Sequence, residues 1–282
     1  MNKEYFRILF AQMKLTLDYD ENKEFLVEDS FYFEQMNRVL EYLNNIDYDV
    51  AVFPELSYHE RYEEYFLKAS KNRIIVFGSL YVGNENYTVV YQNEKKILVK
   101  KVFSCCVEPS IRHQENMNIR DFFKEELKKH VFKLKGKKFI VLNCAEYYKV
   151  AYLIARDERI NKNLFGFLVP CANNKNEVFF SESVALHNHN DRVYSFVVNS
   201  ISTYKEESYS VGGSYIFGRL SSFERMCGSK NNSVCSTNIC LLDDDCYIVD
   251  GLYLYGASSN FYRSDDYRHT PKNLIIKKIG EI

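Results

Sequence analysis

The sequence predicts an α/β sandwich with mixed sheets, and three observations predict it. Apolar runs of strand length recur from residue 6 to residue 249. Segments with apolar side chains at three- to four-residue spacing lie between several of them. The runs at 74–80 and 87–91 read as paired strands, which a purely parallel arrangement lacks.

The strand-like runs are 6–12, 49–54, 74–80, 87–91, 96–103, 138–143, 165–169, 193–199, 214–217, 237–242 and 246–249. Between the first two, apolar positions 32, 33, 36, 39, 40 and 43 predict an amphipathic helix over 31–43. A second helix is expected from Tyr58 to Lys71. A third is expected from Ile119 to Val131, with Phe122, Phe123, Leu127 and Val131 on one side. A fourth, Tyr147 to Glu158, starts just after Cys144. From Gly251 onward the chain is aromatic, polar and less regular, as a C-terminal tail would be.

The 282 residues contain only four prolines and no Pro-, Gly- or Ser-rich linker, so one domain over 1–282 is expected. Hydrophobic residues make up 46% and aromatics 16%, ample for a large core. A net charge of −1 argues against a general nucleic-acid- or membrane-binding surface. The basic stretch Lys128, Lys129, His130, Lys133, Lys135, Lys137 and Lys138 follows Glu125 and Glu126 and reads as a solvated helix end and turn. No apolar run approaches the ~18 residues of a spanning helix, and no signal-peptide core is evident. Eight cysteines occur without a Cys-x-x-Cys pair, so neither a disulfide framework nor a zinc site is expected. His187-Asn188-His189 would offer two ligands on one strand face, but no second ligand pair matches it. A reduced, cytoplasmic protein is the expectation.

Three chemical groups close three apolar runs. Ala51-Val52-Phe53-Pro54-Glu55 ends in a carboxylate, Ile97-Leu98-Val99-Lys100-Lys101 in ammonium groups, and Phe139 through Cys144 in a thiol with Glu146 two residues on. Base, charge stabiliser and nucleophile at strand ends make a plausible catalytic set.

The order and the local words resemble the carbon–nitrogen hydrolase, or nitrilase, superfamily. Phe6-Arg7-Ile8-Leu9-Phe10-Ala11-Gln12-Met13 is similar to its first strand, Phe53-Pro54-Glu55 to its Phe-Pro-Glu motif, and Cys144-Ala145-Glu146 to its Cys-x-Asp/Glu motif. Leu168-Val169-Pro170, the strand ending in Asn199, and Gly212-Gly213-Ser214-Tyr215-Ile216 continue the likeness, which covers about residues 5 to 250. The resemblance implies a four-layer αββα sandwich, a homodimer through sheet-flanking helices, and a Glu-Lys-Cys triad needing no metal or organic cofactor. Glu55 would be the base and Cys144 the nucleophile. The family's apolar residue three positions after its lysine and second glutamate seven or eight after fit Phe103 and Glu108 if the lysine is Lys100; Lys101 is the alternative. Glu108 would orient the lysine or the substrate, or is an ordinary surface carboxylate.

A free thiol ionises near pH ~8.5, and a helix starting just after Cys144 would favour its thiolate. The expected reaction is hydrolysis of an amide, carbamoyl or nitrile group of a small molecule through a thioester. Tyr58, Tyr147, Tyr148, Asn173 and Asn174 are expected to line the pocket and to suit a neutral or weakly polar substrate. Arg112 and Arg156 are the residues able to supply a carboxylate anchor instead. Departures after Cys144 and around Asn173-Asn174-Lys175-Asn176 leave a second class open: a catalytically inactive ligand-binding or interaction module on the same fold. Cys171, and the pair Cys105-Cys106, are further thiols placed near the expected site.

Overall fold

A computed structural model describes residues 5–19, 24–83, 85–103, 117–174, 176–189, 193–205, 207–217, 246–254 and 274–279. The chain opens with β1 (Tyr5–Gln12), β2 (Lys14–Tyr19) and β3 (Glu24–Leu26), then α1 (Ser30–Asn44) and β4 (Val50–Val52). A single helical turn, Glu60–Tyr62, leads into α2 (Glu63–Ala69), followed by β5 (Ile74–Val82), β6 (Glu85–Gln92) and β7 (Lys95–Lys100). Next come α3 (Ile119–Asp121), β8 (Val131–Leu134), β9 (Lys137–Val141), α4 (Ala145–Arg156), α5 (Glu158–Asn161) and β10 (Leu164–Cys171). The remainder is α6 (Asn176–His189), β11 (Tyr194–Asn199), β12 (Ile201–Tyr204), β13 (Glu207–Val211), β14 (Tyr215–Phe217), β15 (Tyr247–Leu254) and β16 (Leu274–Lys278).

Among the described residues these strands form three sheets. A seven-stranded sheet runs β16-β15-β1-β4-β5-β6-β7, and a five-stranded sheet runs β14-β11-β10-β9-β8. Strands β13-β12-β2-β3 form a smaller third sheet. Strand alternation builds the layers. Phe6, Ile8 and Phe10 of β1 point with Val50, Val52, Val76 and Val99 into a core shared with Phe139, Val141, Leu168, Phe196 and Val198 of the second sheet. The opposite face of the first sheet, Leu9, Ala11, Ala51, Ile75 and Phe77, packs under Tyr32, Met36, Val39 and Leu43 of α1 and Phe66 of α2. The opposite face of the second, Ile140, Leu142, Phe167 and Val169, packs under Tyr147, Val150 and Ile154 of α4 and Phe179 and Leu186 of α6. The result is helix, sheet, sheet, helix, the αββα order expected.

Helix α1 starts where Asp29 caps it, its Oδ1 accepting the Tyr32 N–H at 2.7 Å. The helix expected from Tyr58 to Lys71 is shorter. His59 caps its first turn by accepting the Arg61 N–H at 3.0 Å. The helix expected over 119–131 is three short turns of different pitch, Ile119–Asp121, Phe122–Glu126 and Leu127–His130, ending where β8 begins. His187-Asn188-His189 closes helix α6 rather than lying on a strand, so the alternate-face argument for a ligand pair fails. The run at 237–242 lies outside the described residues. No described helix is long and apolar enough to cross a membrane.

Candidate active site

Glu55 follows β4 after Phe53 and Pro54, in a turn closed by Leu56 N–H to Gly78 O at 3.2 Å. Its own N–H donates to Cys171 O at 3.2 Å, tying the end of the first sheet to the end of the second. The carboxylate is buried, 4% exposed, yet each oxygen accepts hydrogen bonds. Oε1 accepts from Ser79 Oγ at 2.7 Å and from Lys101 Nζ at 2.8 Å, and Oε2 accepts from Ala172 N–H at 3.2 Å. A buried carboxylate persists only with such partners.

The bulge in β5 makes this possible. Pairing with β6 slips between Phe77 and Leu80, and Ser79 takes a left-handed φ of 53°. A Cβ on Gly78 would stand 2.7 Å from Pro170 Cβ and 2.8 Å from Glu55 Cα, so only glycine lets the three segments meet. Asn86 Nδ2 donates to Ser79 Oγ at 3.0 Å, and Asn86 O accepts the Lys101 N–H at 2.8 Å. One asparagine thus holds both the hydroxyl on Glu55 and the backbone of the lysine.

The structure places Lys101, not Lys100, against Glu55. Lys101 has a fully buried side chain, whereas Lys100 is 39% exposed and pairs at the surface with Glu85. Alternation along β7 explains the choice: Val99 points between the sheets, so Lys101 does too and Lys100 faces out. Favouring Lys100 on its spacing to Phe103 gave weight to the wrong periodicity. Glu108, Arg112, Cys105 and Cys106 lie outside the described residues.

Cys144 sits between β9 and α4 with φ 46° and ψ −109°, a strained backbone for a residue with a side chain. Leu142 N–H to Leu168 O at 3.1 Å and Cys144 N–H to Pro170 O at 2.9 Å carry the β9–β10 ladder past the strand. Glu146, itself 1% exposed, holds this elbow from within α4. Its Oε2 accepts Asn143 N–H at 2.9 Å and its Oε1 accepts Val102 N–H at 2.8 Å, so the second residue of Ala145-Glu146 latches the Cys144 segment to the Lys101 segment.

The thiol does not rest as a thiolate, despite the helix starting beside it. A hydrogen bond to Cys171, burial and the negative charge of Glu55 raise its pKa well above that of a free cysteine, while Lys101 pulls the other way. Both carboxylate and ammonium therefore act on this sulfur. The cluster offers a proton acceptor, a fixed cation and a neutral thiol, all three buried.

The expected pocket residues disperse. Tyr147 is fully buried beneath α4, its hydroxyl 2.6 Å from both Ser183 Oγ and Ser195 Oγ, and it belongs to the core. Tyr58 donates to Glu63 Oε2 at 2.8 Å, accepts from Lys96 Nζ at 2.8 Å and turns its ring edge to Phe77. Tyr148 packs edge-on to Phe179 and borders a surface hollow with Glu177, Val178, Ser181 and Glu182. Asn174 is exposed. Arg156 lies over the Tyr152 ring on α4 rather than turning inward. Asn173 joins a buried knot: its N–H donates to Asn199 Oδ1 at 2.9 Å, and Asn199 Nδ2 donates to Asn173 O at 2.9 Å and to Gly212 O. Gln12 Oε1 accepts the Ser214 N–H at 2.9 Å, and Ser214 Oγ accepts the Asn199 N–H at 2.9 Å. The polar residues ending strand words Gln12 and Asn199, and Gly212-Gly213-Ser214, are thus one hydrogen-bonded unit behind the site.

Sequence reasoning missed Gly78, Ser79 and Asn86. A glycine and serine inside the apolar run Ile74–Leu80 were the available sign of a bulge.

No family model and no curated protein matches the sequence. Solved structures match the fold. A glutamine-dependent NAD+ synthetase from Acinetobacter baumannii superposes with a TM-score of 0.52 at 16% identity, over 90% of this chain and 48% of that one. The glutamine-dependent NAD(+) synthetase from Cytophaga hutchinsonii gives 0.52 at 13%, over 77% of this chain and 39% of that one. This chain therefore spans half or less of either synthetase. A CN-hydrolase superfamily protein from Xanthomonas campestris, solved with an arsenic adduct in its active site, gives 0.52 at 8% identity over 88% and 90% of the two chains. With its two face-to-face sheets, outer helices and strand-end thiol, this chain has the αββα fold of the carbon–nitrogen hydrolase superfamily.

Proposed function

We propose that the chain is a cysteine-dependent hydrolase of a non-peptide C–N bond, an amide, carbamoyl or nitrile group, in a small molecule. The supporting observation is the buried ion pair of Glu55 and Lys101, both acting on Cys144 at its strained elbow. Burying two charges costs several kcal/mol, a cost that a surface pair or an apolar pair would avoid. Glu55 takes the thiol proton as the sulfur bonds to the substrate carbon. For an amide, the C=O electrons move to oxygen beside the Lys101 ammonium. Collapse of that adduct breaks the C–N bond, and Glu55 returns the proton to the leaving amine. Water, deprotonated by Glu55, then attacks the thioester; the acid departs and Cys144 recovers its proton. These steps require no metal or organic cofactor. One domain over 1–282, a homodimer through the outer helices and a neutral substrate complete the proposal.

The test is a panel of amides, N-carbamoyl amino acids and nitriles, together with an electrophile that reports the reacting thiol by mass spectrometry. Turnover abolished by Cys144→Ala, Glu55→Gln and Lys101→Met, with the label on Cys144, is the expected result. Labelling confined to Cys171 or Cys105 moves the nucleophile. Stable binding of panel members without turnover favours the inactive binding module.

A further inference from the structure

Cys171 is the last residue of β10, has no exposed surface, and is not needed for the steps above. The ladder bonds fix its place relative to Cys144. In a parallel pair, an N–H that reaches a given carbonyl sits opposite the residue after it. Cys144 N–H reaches Pro170 O, so Cys144 stands opposite Cys171 on the neighbouring strand. Adjacent strands are about 4.8 Å apart, which falls inside the roughly 4.4–6.8 Å that a disulfide spans between Cα atoms. Both side chains belong to the same buried cluster under α4 and α6.

We propose that Cys144 and Cys171 are a peroxide-modified pair that closes into a reversible disulfide and thereby masks the nucleophile. The proposal rests on Cys144 being the reactive thiol of the site. Cys144, 4% exposed, is the one of the two with residual access, so it is oxidised first. Its proton passes to Glu55 and its sulfur attacks one peroxide oxygen; the O–O bond breaks, giving a sulfenic acid and, after proton transfer, water. The Cys171 sulfur then attacks the Cys144 sulfur. The S–O bond breaks, and the hydroxide leaves as water with the Cys171 proton. Two electrons pass from the two sulfurs to one peroxide, two thiols become one disulfide, and two waters form. A dithiol reductant reverses the step by exchange. The hydrogen bond that the Cys144 thiol donates to Cys171, the largest influence raising its pKa, agrees with sulfurs in contact.

Cys171 is also well held for a resolving role. Its carbonyl accepts the N–H groups of both Glu55 and Ser200, at 3.2 and 3.1 Å, so its backbone is held in place opposite Cys144. Closure would remove the thiol that Glu55 deprotonates and would place a fixed S–S bond where the substrate carbon must approach.

The experiment uses the full chain, reduced and then exposed to hydrogen peroxide, capped with N-ethylmaleimide and digested with trypsin without reduction. Lysines at 138, 149, 162 and 175 put Cys144 and Cys171 on separate peptides, 139–149 and 163–175. The expected product is these two peptides linked, two hydrogens lighter than their sum, and separated again by dithiothreitol. In Cys171→Ala and Cys171→Ser, dimedone should trap Cys144 as the sulfenic acid at least tenfold more than in the parent, and prolonged peroxide should drive it to forms that dithiothreitol does not rescue. No linked pair, or equal dimedone trapping with and without Cys171, overturns the proposal, as does Cys144 joined to a different cysteine. The readout is covalent, so it is separable from turnover. A linked pair in a protein that hydrolyses nothing keeps the disulfide and discards the hydrolase. Cys144-dependent turnover that peroxide leaves intact does the reverse.

Discussion

Lys101 Nζ lies 2.8 Å from Glu55 Oε1, and the two side chains are 0% and 5% exposed. Such a pair is stable only as a pair: removing one member leaves an uncompensated buried charge, at about 3–5 kcal/mol. Lys101→Met is therefore expected to lower stability by about that amount, and the double variant with Glu55→Gln to recover part of it. Lys100→Met removes only a half-exposed surface pair, worth at most about 1 kcal/mol. Urea unfolding of the four proteins checks this, and equal losses from the two lysine variants would contradict it.

Gly78→Ala forces a methyl to within 2.7 Å of Pro170 Cβ and 2.8 Å of the Glu55 backbone. Overpacking of this kind costs roughly 1–3 kcal/mol. Because the crowded atoms carry Glu55, reactivity of Cys144 toward alkylating agents is expected to change along with the melting temperature. A stable variant with unchanged labelling would mean that the bulge has slack.

Glu146→Gln keeps the shape of the latch but turns one acceptor into a donor facing a backbone N–H. A buried donor left without an acceptor costs about 1–3 kcal/mol. The expected outcome is faster amide hydrogen exchange at Val102 and Asn143 specifically. Exchange rates unchanged at both would refute the latch.

The pKa of Cys144 is raised in the folded chain, which sets the sign of its pH dependence. Below the free-thiol value of about 8.5 the group is protonated in both states and its contribution is fully present. As pH rises beyond that value the unfolded thiol ionises first, so the folded state loses stability until the raised folded pKa is passed. Between about pH 8.5 and 10, Cys144→Ala should therefore lose less stability than the parent. Parallel melting curves across that window would show no raised thiol.

Much of this was legible in the sequence because the signals were local. Glu55 and Cys144 each end an apolar run, and their surroundings place both beside one neighbour, Cys171. The lysine was legible in principle: Ile97, Val99 and Lys101 alternate on one face, a period-two pattern that outweighs a spacing count. Helix α6 went unread because its Asn-, Ser- and His-containing sequence has no strong apolar stripe, and its place is set by contact with α4 and the sheet, with Phe179 stacked on Tyr147. Strands β2, β12 and β13 are short and interleave polar residues such as Thr16, Ser202 and Ser210 with isolated apolar ones, and β2 and β12 pair across a long separation, as Lys14 does with Ile201. The pocket tyrosines were misplaced because proximity in sequence to Cys144 does not say which face of a helix a residue occupies. Tyr147 lies on the buried face of α4.

The hydrogen bond between Gln12 and Ser214 joins residues 202 positions apart. On a ribosome, the carboxylate, ammonium and thiol are all synthesised well before Ser214 exists to close the knot, and β15, which pairs with β1, comes later still. The thiol is thus made early and enclosed late, so an interrupted chain carries the three groups without their setting. Nascent chains stalled at about residue 200 should leave Cys144 as open to maleimide as a loose peptide thiol, and chains released at full length should shield it. Shielding already complete in the shorter chain would mean that the first two-thirds of the protein sets its own chemistry without waiting for the rest.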